Sequence, residues 1–229
     1  MTIISIHQPG YLPWLGFFKK ILYSDIFVFL DDVKYVKRQW HNRNQIRTSS
    51  GANFLTVPII SNSGKLINEM KISYDEDWVQ VHKKTMKYNY SKAPYFSTYW
   101  KSIEEIYDRK FEYLVDLNME FIQHILQKFE IKTKTIFSSE LSVTKKKSDL
   151  NLEICEILKA DTYLSGIMGK GYIDEESFIQ KNIKVQYQNF QHPTYKQVYD
   201  PFIPNMASID LLFNEGHASS QILQNSKNF

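Results

Sequence analysis

The sequence predicts an α/β fold: a three-layer, mainly parallel sheet with a helical insertion at about 78–130. Two observations predict it. Apolar, β-branched runs alternate with helical periodicity in the opening and closing thirds of the chain, and purely helical periodicity fills the stretch between them.

Residues 2–6, Thr-Ile-Ile-Ser-Ile, have the composition of a buried strand, and His7-Gln8-Pro9-Gly10 makes the loop that follows. Between 12 and 23, Leu15, Phe18, Ile21 and Leu22 fall on one helical face. Asp25 then opens Ile-Phe-Val-Phe-Leu30, an unbroken apolar run suited to a strand covered on both faces, which ends in Asp31-Asp32. The opening third is therefore a βαβ unit whose strands both finish in polar residues, where open α/β sheets hold their ligands.

Residues 40–60 alternate in character around Thr48-Ser-Ser-Gly51, which predicts a hairpin with Phe54, Val57 and Pro58 in its second arm. Helical periodicity from Trp78 to Phe129 breaks at Ala93-Pro94, and Asp77 is placed to cap the first helix. Further on, 133–138 reads as strand, Ser148-Asp149 as the cap of a helix reaching Lys159, 162–165 as strand, 174–182 as helix and 183–190 as strand. This is β-α-β-α-β. Ser208 and Asp210 read as caps of a terminal helix, and polar 219–229 as a fraying tail.

The chain has 229 residues, of which 43% are hydrophobic and 23% charged, with only 8 Gly and 7 Pro, so it suits one folded domain and not a disordered or repetitive chain. Lys and Arg total 28 against 25 for Asp and Glu, a +3 balance too small to make nucleic acid or an anionic membrane the default partner. Lone Cys155, set among Leu152, Ile154, Ile157 and Leu158, excludes an internal disulfide and reads as packing, not as a nucleophile. With no basic leader and no long apolar span, the expectation is a cytoplasmic, soluble protein. His82, His124 and His217 lack ligand spacing, so neither a metal nor a cofactor is expected. The 15 Tyr, 15 Phe and 4 Trp supply both a core and rings able to pack on a ligand.

Four segments carry candidate chemistry. In the first, His7 and Gln8 end a buried strand before a helix, positioned to transfer a proton or bind an anion, with Tyr11 and Trp14 beside them. The second runs from Asp31-Asp32 to Asn44: one carboxylate is a candidate to orient a base or bind a sugar hydroxyl. Arg38 and Arg43 suit a phosphate, Trp40 a ring, and Asn42 or Asn44 its polar edge. In the third, Ser165-Gly166 opens a stretch with Gly169, Lys170, Gly171 and Tyr172, glycine-rich enough to cradle a phosphate yet without a Walker ending. The fourth is His192-Pro193-Thr194-Tyr195, placed after a strand and able to face the same mouth.

Ile6-His7-Gln8-Pro9, Tyr11-Leu12-Pro13-Trp14-Leu15-Gly16-Phe17, Asp31-Asp32-Val33, Trp40-His-Asn-Arg43-Asn44, Leu55-Thr-Val-Pro58, Tyr163-Leu-Ser-Gly166, His192-Pro193-Thr194-Tyr195 and Ser208-Ile-Asp210 together resemble the WbqC-like family. That resemblance implies a role in bacterial surface-polysaccharide (O-antigen or capsule) loci, attaching an acyl or aminoacyl group such as glycyl to an amino sugar. The partners it implies are a nucleotide-linked sugar and an acyl or aminoacyl donor. The layout also resembles nucleotidyltransferases of the Rossmann-like class, with His7 and Ser165-Gly166 at their two loops, although Gly10-Tyr11 stands where a second His belongs. Nucleotidyl transfer and non-catalytic nucleotide-sugar binding are the alternatives. On the leading reading His7 is the base, with Asp32 orienting or replacing it; Arg38, Arg43 and the 166–171 loop hold the diphosphate; Tyr11, Trp14 and Trp40 pack on sugar or base; and amides near Gly10 meet the oxyanion. All of this requires the segments to converge on one cleft.

Overall fold

Alternation along the strands decides the layers. The computed structural model describes residues 1–61 and 65–228. Its elements are β1 (Ile3–His7), α1 (Leu15–Leu22), β2 (Ile26–Phe29), β3 (Arg43–Thr48), β4 (Gly51–Thr56), α2 (Trp78–Tyr90), α3 (Phe96–Asp108) and α4 (Leu114–Lys128). After these come β5 (Lys134–Phe137), α5 (Lys147–Ile157), β6 (Thr162–Gly166), α6 (Glu175–Gln180), β7 (Lys184–Gln188), α7 (Ile209–Glu215) and α8 (Ala218–Asn225).

The sheet runs β5-β2-β1-β6-β7 with every pair parallel, while β3 and β4 form a separate antiparallel hairpin. Counted along the sheet's own strands, the order is 3-2-1-4-5, which reverses direction between β1 and β6. Because side chains alternate between faces, Ile4, Ile6 and Val28 join Leu152, Ile154 and Phe178 in one core under α5 and α6. Phe27 and Phe29 face the other way, into a larger core with α1, the helices α2–α4 and the α7–α8 pair. The expected α/β class is the observed one, and three helices stand between the hairpin and β5. Asp77 caps α2 by accepting a hydrogen bond from the Gln80 amide at 3.3 Å.

Three local expectations fail for tertiary reasons. Ser148 lies inside the first turn of α5, where its hydroxyl accepts a hydrogen bond from the Asp174 amide at 2.9 Å. Asp210 is fully buried and accepts from Tyr90 Oη, Tyr195 Oη and Gln197 Nε2 at 2.7, 2.7 and 2.9 Å, so it ties α7 to α2 and to the preceding loop. The tail does not fray: α8 is helical, Lys19 Nζ donates to the Leu223 and Gln224 carbonyls at its end, and the Asn189 amide donates to Asn228 O at 2.9 Å. Phe229 lies outside the described residues.

Candidate functional site

Pairing between β1 and β6 stops at Ser5 and Leu164, and the two strands part beyond it. A cleft of about 610 Å³ opens there, over the carboxyl ends of β1, β6 and β7, at the reversal of strand order. Open parallel sheets bind ligands at this position because the flanking loops diverge to opposite faces and leave a crevice.

His7, the last residue of β1, stands in this cleft with its ring edge-on to Phe17 at 5.3 Å. Its Nδ1 lies 2.9 Å from the Gln8 carbonyl. A carbonyl only accepts, so Nδ1 carries the proton in the neutral ring and Nε2 keeps its lone pair. The ring is open to the cleft but hemmed in by protein, and burial together with the Lys20 charge holds its pKa down at about 3. It is neutral at pH 7.

Lys20 is the site residue that sequence reasoning missed. It lines the cleft, is 2% exposed, and donates from Nζ to the Ile6 carbonyl at 3.0 Å. Burial pushes its pKa down to about 7. A signal was present: Lys20 sits three residues after Phe17 and next to Ile21, on a helix whose buried residues run unbroken from Leu15 to Ile21.

Aromatic and amide groups form the walls. Trp14 meets Phe190 in a T-shaped contact at 5.4 Å, and Gly16 leaves room for the Trp14 indole, which an added Cβ would strike. Gln188 Nε2 donates to Gly16 O at 2.9 Å and to Asn228 Oδ1 at 2.7 Å, which fixes the end of β7 against the start of α1. On the β6 side Ser165, Gly166 and Tyr172 line the cleft, and Gly169 is held so close to the Ser165 hydroxyl that no Cβ fits between them.

The WbqC-like protein family matches residues 8–222. The chain belongs to the WbqC-like family. The match begins at Gln8 in the cleft and ends within α8. The chain is also similar to an uncharacterized protein of Mycobacterium tuberculosis (strain ATCC 25618 / H37Rv), Rv1507c, with 30% identity over 228 residues that cover 98% of each chain. No solved structure matches it.

In this WbqC-like chain the cleft collects His7, Gln8, Trp14, Ser165, Gly166, Gly169 and Tyr172 from the residues singled out by sequence. The others lie elsewhere. Tyr11 is fully buried against the insertion, bonded to His82 Nδ1 at 3.0 Å and to the Tyr107 hydroxyl. Asp31 accepts from Ser138 Oγ, the Ser139 amide and Ser139 Oγ at 3.1, 3.1 and 2.8 Å, and Asp32 accepts from Ser138 Oγ. Both carboxylates therefore fasten the end of β2 to the turn after β5. Asn42 is spent on Tyr35 and the Val57 carbonyl, and Asn44 on the Leu12 carbonyl.

Arg43 stacks on Phe54 at 4.5 Å and donates to Arg38 O at 2.7 Å, while Trp40 leans on the same Phe54 ring at 5.9 Å. From this loop it is Gln39 that reaches the cleft. Lys170 is exposed over the Tyr187 ring at 5.4 Å. His192 sits behind Phe190, among Tyr195 and Phe202, where burial lowers its pKa. The Tyr11 amide is taken by Trp40 O at 3.1 Å and is not free for an oxyanion. Among the described residues no helix is long and apolar enough to cross a membrane.

Proposed function

We propose that this protein transfers an acyl or aminoacyl group, such as glycyl, to an amino sugar carried on a nucleotide, as a cytoplasmic step in bacterial surface-polysaccharide synthesis. The observation that supports this reading is the cleft at the strand reversal, where a nucleotide-binding sheet order meets a neutral imidazole with a free lone pair.

Acyl transfer to an amine needs few groups. The amine nitrogen attacks the donor's carbonyl and forms the new C–N bond; the bond from that carbon to the leaving group breaks, and the leaving group departs with the electron pair. The amine's surplus proton passes to His7 Nε2 and from there to the departing group. A ring held at about 3 is a weak base in the empty cleft. An anionic substrate beside Lys20 offsets one of the causes of that depression and makes His7 more basic when substrate is bound. Trp14 and Phe190 offer an apolar wall for a sugar or base, and Ser165 and Gln39 offer polar atoms for hydroxyls.

The test combines the protein with nucleotide-linked amino sugars and a panel of acyl and aminoacyl thioesters or esters, with product masses read by mass spectrometry. The expected result is a nucleotide sugar heavier by one acyl group, formed roughly 10²–10⁴-fold more slowly by a folded His7→Ala variant. Tight binding without product from any donor would make the protein a nucleotide-sugar binding module.

A further inference from the structure

We propose that Lys20 is the anion anchor of the cleft: its buried ammonium binds a phosphoryl oxygen of the ligand. For a sugar nucleotide that group is the diphosphate, and this identification rests on the function proposed above; the phosphoryl site itself rests on the cleft.

The place of the ammonium follows from the strand geometry. Thr2 O accepts from the Thr162 amide on the β6 side, whereas Ile3 O and His7 O accept from Asp25 and Leu30 on the β2 side. Carbonyls alternate along a parallel strand, so Ile6 O points toward β6. Pairing with β6 has already ended at Ser5, and Lys20 Nζ takes the vacated position at 3.0 Å. The charge thus stands in the split between the strands.

The charge is uncompensated. Among the described residues lining the cleft there is no Asp, Glu or Arg. An ammonium has three donors, and Ile6 O is the acceptor for one. A buried cation without a counter-ion is costly, and an anionic ligand supplies both the missing charge and the missing acceptors. Arg43, which sequence offered for this purpose together with Arg38, is engaged with Phe54 and the Arg38 carbonyl, and neither arginine lines the cleft.

The titratable groups lining the cleft beside Lys20 are His7 on β1, Tyr163 on β6 and Tyr172 in the turn beyond; His41, before β3, acts on the charge of His7, and Lys19 turns away to α8. None is a carboxylate. Burial holds the Lys20 pKa at about 7, so at pH 8 the amine is mostly neutral in the empty cleft. A phosphoryl group raises that value again, and binding takes up a proton.

Isothermal titration of the full chain with inorganic pyrophosphate, with UDP and with a UDP-linked amino sugar, at pH 8 in two buffers of different protonation enthalpy, tests this. All three probes are expected to bind, with uptake approaching about one proton per site. Lys20→Gln, which keeps a donor for Ile6 O, weakens each by roughly 10- to 100-fold and abolishes the uptake. A folded Lys20→Met variant, which removes the buried charge altogether, does the same. Binding within about twofold of wild type in both variants, with uptake unchanged, overturns the anchor and leaves the sugar-nucleotide reading standing. Lysine-dependent binding of pyrophosphate and UDP with no added affinity from the sugar supports the anchor and overturns that reading. No binding of any probe to the wild type overturns both.

Discussion

The Tyr11 hydroxyl lies 3.0 Å from His82 Nδ1, and this contact joins the loop after β1 to the first helix of the insertion. Tyr107 on α3 shares the same hydroxyl, Phe121 on α4 packs edge-on against the Tyr11 ring at 5.7 Å, and all three insertion helices thereby grip the loop that carries His7 and Gln8. Tyr11→Phe keeps the ring but leaves the buried His82 and Tyr107 short of a partner. It is expected to cost about 1–3 kcal/mol of folding free energy, read from urea denaturation at pH 7.5.

His82 also predicts acid lability. Burial holds its folded pKa at about 4, against an ordinary 6.5, and His41 is depressed to the same level by the same cause. Between those values the unfolded chain binds protons that the folded chain refuses, so stability is complete above pH 6.5 and declines as the pH falls toward 4. The urea midpoint is expected to drop steadily from pH 7 to pH 4.5, and His82→Gln to flatten the decline. A midpoint constant over that range would show both rings to be accessible to protons in the fold.

Asp210 receives three donors and has none to give. Asp210→Asn turns one accepting oxygen into an NH₂ group facing Tyr195 Oη and Gln197 Nε2, or else Tyr90 Oη. The Tyr90 hydroxyl in turn accepts from the Arg47 amide at 2.9 Å, so the loss spreads into β3. A destabilisation of roughly 1–3 kcal/mol is expected, visible as a lower melting temperature.

Gly16 separates ligand binding from stability. Its backbone is not in the left-handed region, so Ala is a better helix former there, yet its Cβ would meet the far edge of the Trp14 indole. Gly16→Ala should push Trp14 off Phe190 and shift tryptophan fluorescence. Nucleotide-sugar affinity should fall, with the melting temperature nearly unchanged.

The parts of this molecule that were legible in sequence are those set by local pattern. Apolar β1 and β2, the Ser49-Ser50 turn of the hairpin and the Ala93-Pro94 break between α2 and α3 all needed only neighbouring residues to specify them. His7 and Ser165 were legible for a related reason: each is a polar residue closing a buried strand, and parallel strands deliver their ends to one edge. Arg38, Arg43 and Lys170 were misplaced because donor density gives no direction; Phe54 and Tyr187 decide where two of those cations rest. Tyr11 was misplaced because the helices that bury it arrive some 70 to 100 residues later. Lys20 was passed over because a lysine is ordinarily solvated; its apolar neighbours Phe17 and Ile21 hinted at burial, but only the assembled sheet shows where its ammonium goes.

Lys19 and Lys20 leave one backbone in opposite directions, the first to clasp the end of α8 and the second to the cleft. Asn228 meanwhile steadies Gln188 at the far wall. A protease nick or a bulky fusion at the C-terminal tail would therefore be felt as lost ligand affinity while the sheet itself stayed intact, which makes the tail a poor place to immobilise this protein for binding work.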